Sequence, residues 1–186
     1  MTQTITFLDL ETTGFHAGTN EIIELAAIRT EVDSKTVTVI DSMEQKIAPV
    51  LPVDPFIARI NGYNVHQWPS ANHSDTAPKA LGKIFDLMRG AWHAGSNPHF
   101  DQSFLKNYAK MFHWDYPKLA SYHLIDVTTL AIPLLVNEEV EKLSQDSISK
   151  YYNNGKCQHT AMADTVQCMK NFASINKLEI IEKIEY

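Results

Sequence analysis

The stretch Phe7-Leu8-Asp9-Leu10-Glu11-Thr12-Thr13-Gly14-Phe15 constrains this chain more than any other. It begins inside an apolar run from Ile5 to Leu10, which has the length and bounded character of a buried strand. Strand side chains alternate faces with a period of two, so Asp9 and Glu11 leave one face while Leu8 and Leu10 leave the other. Carboxylates side by side on a buried strand repel each other and lose hydration, a cost that calls for a compensating charge. A divalent cation supplies it, and hard oxygen ligands suit magnesium or manganese. Thr12-Thr13-Gly14 then closes the strand in a turn whose backbone groups and hydroxyls are placed to meet a ligand. An edge strand with two solvated acids has the same local sequence, and the stretch alone does not separate the two.

With 186 residues, one well-buried domain spanning 1–186 is the expected organisation. The net charge of −6 sets up no global basic field for nucleic acid, although cations bound at an acidic site would reverse the local sign. Cys157 and Cys168 lack any CxxC or zinc spacing and read as free thiols in a reducing compartment. Met1 leads almost directly into the first strand, with no basic and apolar leader and no run of about 18 apolar residues. A soluble, cytoplasmic protein is expected, or one delivered to a host cytoplasm, with no membrane partner.

A second strand fits Glu21 to Val32, and Asp33-Ser34-Lys35 turns into a third over Thr36 to Ile47. Pro49, Pro52 and Pro55 then interrupt regular structure, and residues 53–75 read as a short helical turn followed by a long loop containing Asn61-Gly62 and Trp68-Pro69. A helix opens near Thr76, with Leu81, Ile84, Phe85 and Met88 on one face. Ala91 to Ser96 suits a short strand. Phe100, Phe104, Leu105, Tyr108, Met111 and Phe112 trace another helical stripe, whose period marks it as core and not as a base-stacking platform. A fifth strand over Tyr122 to Ile125 leads into a helix through Val136, and helices follow at Ser144 to Tyr152 and Thr160 to Ala173. Leu178, Ile181 and Ile184 suggest a final amphipathic turn or two. Three strands as a meander, then helices alternating with single strands, give an α/β fold: a mixed five-stranded sheet flanked by helices.

Two acids are too few for a pair of metal ions. Asp101, in Asn97-Pro98-His99-Phe100-Asp101, sits where a strand passes into a helix, although an acid at a helix start is also simply favoured by the dipole. Asp164 follows His159 by five residues, which places them ~140° apart on a regular helix, so His159 is expected in the loop before it. Taken together and in order, FLDLETTGF, GSNPHFDQSFL and HTAMADT resemble the three motifs of the DEDDh exonucleases, the DnaQ-like group that includes polymerase proofreading exonucleases and ribonuclease T. The likeness runs from Phe7 to Phe172, and Glu21-Ile22-Ile23-Glu24-Leu25 is similar to the family's second strand. Ser96 stands where many members have His, and Asn61-Gly62-Tyr63 only loosely follows the usual His-Gly-Ile. Thr160, four residues before Asp164, replaces the tyrosine of the related subclass and favours the histidine one.

The resemblance implies a ribonuclease H-like fold in which Asp9, Glu11, Asp101 and Asp164 hold two divalent ions, Mg2+ or Mn2+. It implies His159 as general base and Thr12, Thr13, Gly14, Phe15 and Asn97 as the substrate border, with Phe15 either packing on the nucleotide or buried beneath the turn. Asp126 is expected as a helix cap, not a fifth ligand. The implied activity is 3′–5′ exonucleolytic release of nucleoside 5′-monophosphates from DNA or RNA with a free 3′ end. The implied protein partner is a polymerase or another replication or repair protein. Two alternatives keep the fold: a catalytically silent module that clamps nucleic acid or a polymerase, and a phosphodiesterase for very short oligonucleotides. Retention of all five polar positions disfavours the first, and Thr12 in place of the Met typical of oligoribonucleases disfavours the second.

Overall fold

The computed structural model describes residues 1–68, 73–156 and 158–182. β1 (Gln3–Thr12) forms over the opening apolar run and becomes an inner strand of the sheet. β2 (Ile22–Val32) pairs with it antiparallel, and β3 (Thr36–Lys46) continues the meander. Asp33 makes the intervening turn by accepting hydrogen bonds from the Lys35 and Thr36 amides. On the other side of β1 come β4 (Trp92–Gly95) and β5 (Leu124–Asp126), both parallel to it. The order is β5-β4-β1-β2-β3-β6.

That sixth strand corrects the expectation of five. β6 (Glu179–Glu182) pairs parallel with β3, where a final amphipathic turn or two was expected from Leu178, Ile181 and Ile184. The chain leaves the preceding helix through Lys177 in the left-handed region at φ 55°, and the Glu179 amide then donates to Lys35 O. An unpaired β3 edge and the β-branched pair Ile180-Ile181 favour strand over helix here. Pro69, Cys157 and Ile184, read in the sequence as part of a loop, a free thiol and part of the tail, lie outside the described residues.

Helices cover both faces. α1 (Pro55–Asn61) is capped by Asp54, and α2 (His73–Met88) starts three residues ahead of Thr76. His73 fixes that earlier start, its ring bridging Ala48 O and the Tyr108 hydroxyl. α3 (Pro98–Met111), α4 (Tyr116–Leu119), α5 (Val127–Leu130) and α6 (Ile132–Val136) follow, then α7 (Gln145–Tyr152) and α8 (Ala161–Asn176). The single helix expected up to Val136 is thus two short ones, divided at Ala131.

Strand alternation decides which helix meets which side chain. Leu8, Leu10, Leu25 and Ala27 pack on Leu81, Ile84 and Phe85 of α2 and on Phe104, Leu105 and Tyr108 of α3. Phe7, Ile28 and Val37 pack on Met169 and Phe172 of α8, with the Phe7 and Phe172 rings edge-on at 5.4 Å. Met111 departs from its expected stripe: it is exposed, while Phe112 turns into the α2–α3 cluster. Asp9 and Glu11 share the Phe7 face and so emerge beneath α8. Among the described residues no helix is long and apolar enough to cross a membrane.

Candidate active site

β4 pairs with β1 only as far as Phe7, so β1 outruns its parallel neighbour. Into that gap comes the start of α3. Gly95 permits the approach, since a Cβ there would lie 3.1 Å from Leu8 O. Asn97, left-handed at φ 59°, then turns the chain into α3 with Pro98 at its first position. Asp101 takes the place of the missing strand: its buried Oδ1 accepts from the Leu10 amide at 3.2 Å. The Asn97 amide donates to Asp126 Oδ1 at 3.4 Å, and Asp126 also accepts from the Thr128 amide and the Thr128 and Thr129 hydroxyls. Partial burial works against its charge, but these donors outweigh it and hold the Asp126 carboxyl below its ordinary value. Asp126 is the cap of α5, as the sequence suggested.

From the other face, α8 crosses β1 and β2 with fully buried Ala161 and Ala26 allowing close contact. Asp164 in its first turn accepts from the Gln158 amide at 3.1 Å. Asp9, Glu11 and Asp164 each present a carboxylate oxygen, and these atoms lie within 4.8 Å of one another. Asp101 flanks Asp9 and is outside that tightest group, but it is close enough to repel both Asp9 and Glu11. His159 lies in the loop before α8 at φ 54°, with Nδ1 4.0 Å from Asp164 Oδ2 and its side chain 56% exposed.

Charge makes this arrangement costly without a cation. Burial, then repulsion from Asp101, Glu11 and Asp164, pushes the Asp9 carboxyl well above its ordinary range. Burial and the charges of Asp164, Glu24 and Asp101 push Glu11 up to about 8. Burial raises Asp101 strongly, against the Leu10 hydrogen bond, and raises Asp164 against the Gln158 and His159 amides and the His159 charge. Among the described residues, no lysine or arginine pairs with any of the four. An all-oxygen donor set of four mutually repelling carboxylates is what a hard divalent cation relieves, so the residues fit such a metal.

The turn after β1 is a rigid scaffold. The Thr12 hydroxyl donates to Gly14 O at 2.6 Å, and the Thr13 hydroxyl accepts from the Glu21 amide at 2.9 Å. A Cβ on Gly14 would lie 2.6 Å from the Asn20 side chain, which instead accepts from the His16 amide. Thr12, Thr13 and Gly14 are buried, whereas Phe15 is 64% exposed and so is not buried beneath the turn. The sequence reading did not foresee Asn61, whose buried amide donates to Thr12 O at 3.0 Å and ties α1 to the turn. Nor did it single out Glu24, although counting antiparallel partners along the first two strands places it opposite Glu11.

An open mixed sheet with carboxylates gathered where β1 passes beneath α8 defines a ribonuclease H-like fold with a nuclease-type acidic centre. The model of the RNase T exonuclease family matches residues 6–172, and the chain belongs to that family, the DnaQ-like 3′–5′ exonucleases. It is 30% identical over 102 residues to a PolC-type DNA polymerase III of Caldanaerobacter subterraneus subsp. tengcongensis, a match over 55% of this chain and 7% of that protein. Exonuclease I of E. coli, in complex with a dT13 oligonucleotide carrying a 5cy label, superposes with a TM-score of 0.75 at 19% identity, over 94% of this chain and 40% of that one. A moderately thermophilic exonuclease I from Methylocaldum szegediense gives 0.75 at 18% identity, over 92% and 40%. The chain therefore spans well under half the length of these relatives.

Proposed function

We propose that residues 1–186 form one exonuclease domain that shortens DNA or RNA from a free 3′ end and releases nucleoside 5′-monophosphates. The observation that carries this reading is the meeting, within 4.8 Å, of carboxylate oxygens from Asp9, Glu11 and Asp164, with Asp101 beside them and no basic partner among the described residues. When bound, a pair of Mg2+ or Mn2+ ions held by Asp9, Glu11, Asp101 and Asp164 supplies positive charge to the attacking and leaving oxygens.

The chain's own groups do the rest. His159 accepts a proton from the attacking water at an imidazole nitrogen, the water oxygen forms its bond to phosphorus as the bond to O3′ breaks, and the departing O3′ takes up a proton from solvent. The shortened strand leaves with a 3′ hydroxyl, and the released nucleotide carries the 5′ phosphate. His159 suits this role because it hangs over Asp164 from outside the cage, in a left-handed backbone conformation that costs about 1–3 kcal/mol for an ordinary residue. Thr12, Thr13 and Gly14 shape the lip through their backbone, and Phe15 offers an exposed ring to the terminal nucleotide. Asn97 sets the start of α3 and thereby the aim of Asp101. Because one relative is a DNA polymerase, a polymerase or another replication or repair protein is the protein partner we infer.

The test incubates the wild-type chain and Asp9→Ala with 5′-labelled single-stranded DNA and RNA, in Mg2+, Mn2+ or EDTA. Shortening from the 3′ end is expected only with the metal and with Asp9 present. Intact substrates in every wild-type lane would sink the enzyme reading and leave a binding module of the same fold.

A further inference from the structure

Glu24 stands directly opposite Glu11 in the antiparallel β1–β2 pair, so the two carboxylates leave the sheet on the same face. The register shifts immediately afterwards, Thr12 pairing with Ile22, which leaves Ile23 as the extra residue of a bulge. Bulges of this kind re-aim neighbouring side chains. This one is pinned, because Ile23 O accepts from both the Ile47 amide at 2.8 Å and Trp68 Nε1 at 2.7 Å. The aim of Glu24 is therefore built into the sheet.

Glu24 is fully buried, and among the described residues no amide, hydroxyl or basic group donates to its carboxylate, whose side-chain hydrogen-bond contact is with another acid, Glu44. The charged groups around it are mostly of its own sign: Asp9, Glu11 and Asp164 on the cage side, and Glu44 on β3. Lys46, its β3 partner in register, is the one nearby cation among the described residues, and that ammonium sits 4.2 Å over the Trp68 ring. A buried carboxylate whose close contacts are other acids costs several kcal/mol in an apolar setting, a cost that a nearby cation would offset.

We propose that Glu24 is a positioning residue of the cation centre: a fifth carboxylate behind Glu11 that strengthens divalent-metal binding without being a direct ligand. It is not a direct ligand because it lies outside the converging set of Asp9, Glu11 and Asp164 and, unlike Asp101, which acts on Asp9 more strongly than any other charge, it acts on Asp9 the least of the four acids around it. It acts through the hydration of the cation, since Mg2+ keeps several water ligands and those waters need acceptors. Outer carboxylates of this kind set the affinity and geometry of the groups that bind metal. The inference rests on the metal-binding reading above.

The experiment measures Mn2+ binding by isothermal titration calorimetry, with melting temperatures in EDTA and in Mn2+, for wild type, Glu24→Gln, Glu44→Gln and Asp9→Asn. Wild type and Glu44→Gln should bind alike, Asp9→Asn should lose binding, and Glu24→Gln should weaken it about tenfold. In EDTA Glu24→Gln should melt no lower than wild type, because the substitution removes a buried charge set among other acids, and its Mn2+-induced rise should be smaller. Wild-type affinity in Glu24→Gln would overturn the proposal while leaving the metal reading intact. Absence of Mn2+ binding in the wild type would overturn both. A Glu24→Gln protein that does not fold, or that melts lower in EDTA with its Mn2+ affinity unchanged, would assign Glu24 a purely structural role and also overturn it.

Discussion

At the residue scale, position and reactivity are supplied by different atoms. The Thr12 and Thr13 side chains are consumed in holding the turn, and Asn61 holds it from below through Thr12 O. Asp101 does two things at once, closing the open hydrogen bond of Leu10 and placing its charge beside Asp9. His159 is the one member with its side chain largely in solvent, so removing it should disturb neither fold nor cage. We expect His159→Ala to bind Mn2+ as the wild type does, while the turnover rate falls by about 10²–10⁴. Calorimetry and single-turnover kinetics check the two halves separately, and an unchanged rate would remove His159 from the mechanism. Asp9 and Glu11 were legible as a same-face pair because a period of two needs no tertiary information. Asn61 was not, because nothing in an Asn-Gly pair indicates a bond to a residue 49 positions away.

At the scale of elements, periodicity was a sound guide wherever one face meets a core. β1 to β3, α2 and α3 fall where apolar spacing places them, because burial of those faces supplies most of their stability. Errors concentrate where burial is shallow. The tail has too few apolar residues for its period to decide, and the free edge of β3 decides instead. α8 has a further requirement, since its aim over the cage depends on α7. Buried Asn171 on α8 donates to Ser149 Oγ at 2.8 Å and to Gln145 O at 3.3 Å, and accepts from Asn154 Nδ2 at 3.0 Å. Asn171→Ala strands buried Ser149 without that partner, and we expect a loss of about 1–3 kcal/mol in urea unfolding. Hydrogen exchange should quicken first in α7, and a loss under 0.5 kcal/mol would show the network to be dispensable.

For the whole molecule, the acid centre couples folding, pH and metal. Glu11 titrates near 4.5 in an unstructured chain and at about 8 in the fold, so over that window the folded state holds a proton that the unfolded chain has released. Stability from this group is complete below about 4.5 and is lost as the pH climbs through 8, the reverse of a salt-bridged acid. Asp9 and Asp101 shift the same way. The metal-free protein should therefore melt at lower temperature as the pH rises across that window. Mg2+ or Mn2+ should raise the melting temperature more at the alkaline end, where the bare carboxylates have most to gain. Thermal melts in EDTA and in metal across the pH series decide it. A metal-free melting temperature that is flat or rises over the window would contradict the charge distribution assigned to the site.

Sequence alone determined the order of the early strands, the apolar faces of the main helices, the pairing of Asp9 with Glu11 and the cap made by Asp126. Each of these follows from contacts within a few residues or from a strict alternation of faces, and both are written in the local chain. Tertiary structure alone decided that Asp164 reaches the Asp9–Glu11 face, that Asp101 fills the gap left by a short β4, and that Glu24 is fully buried behind Glu11. Those outcomes depend on register, on where one strand stops relative to its neighbour, and on which surface a distant helix covers. Local spacing does not encode them, because their energy comes from burial shared between separate segments of the chain.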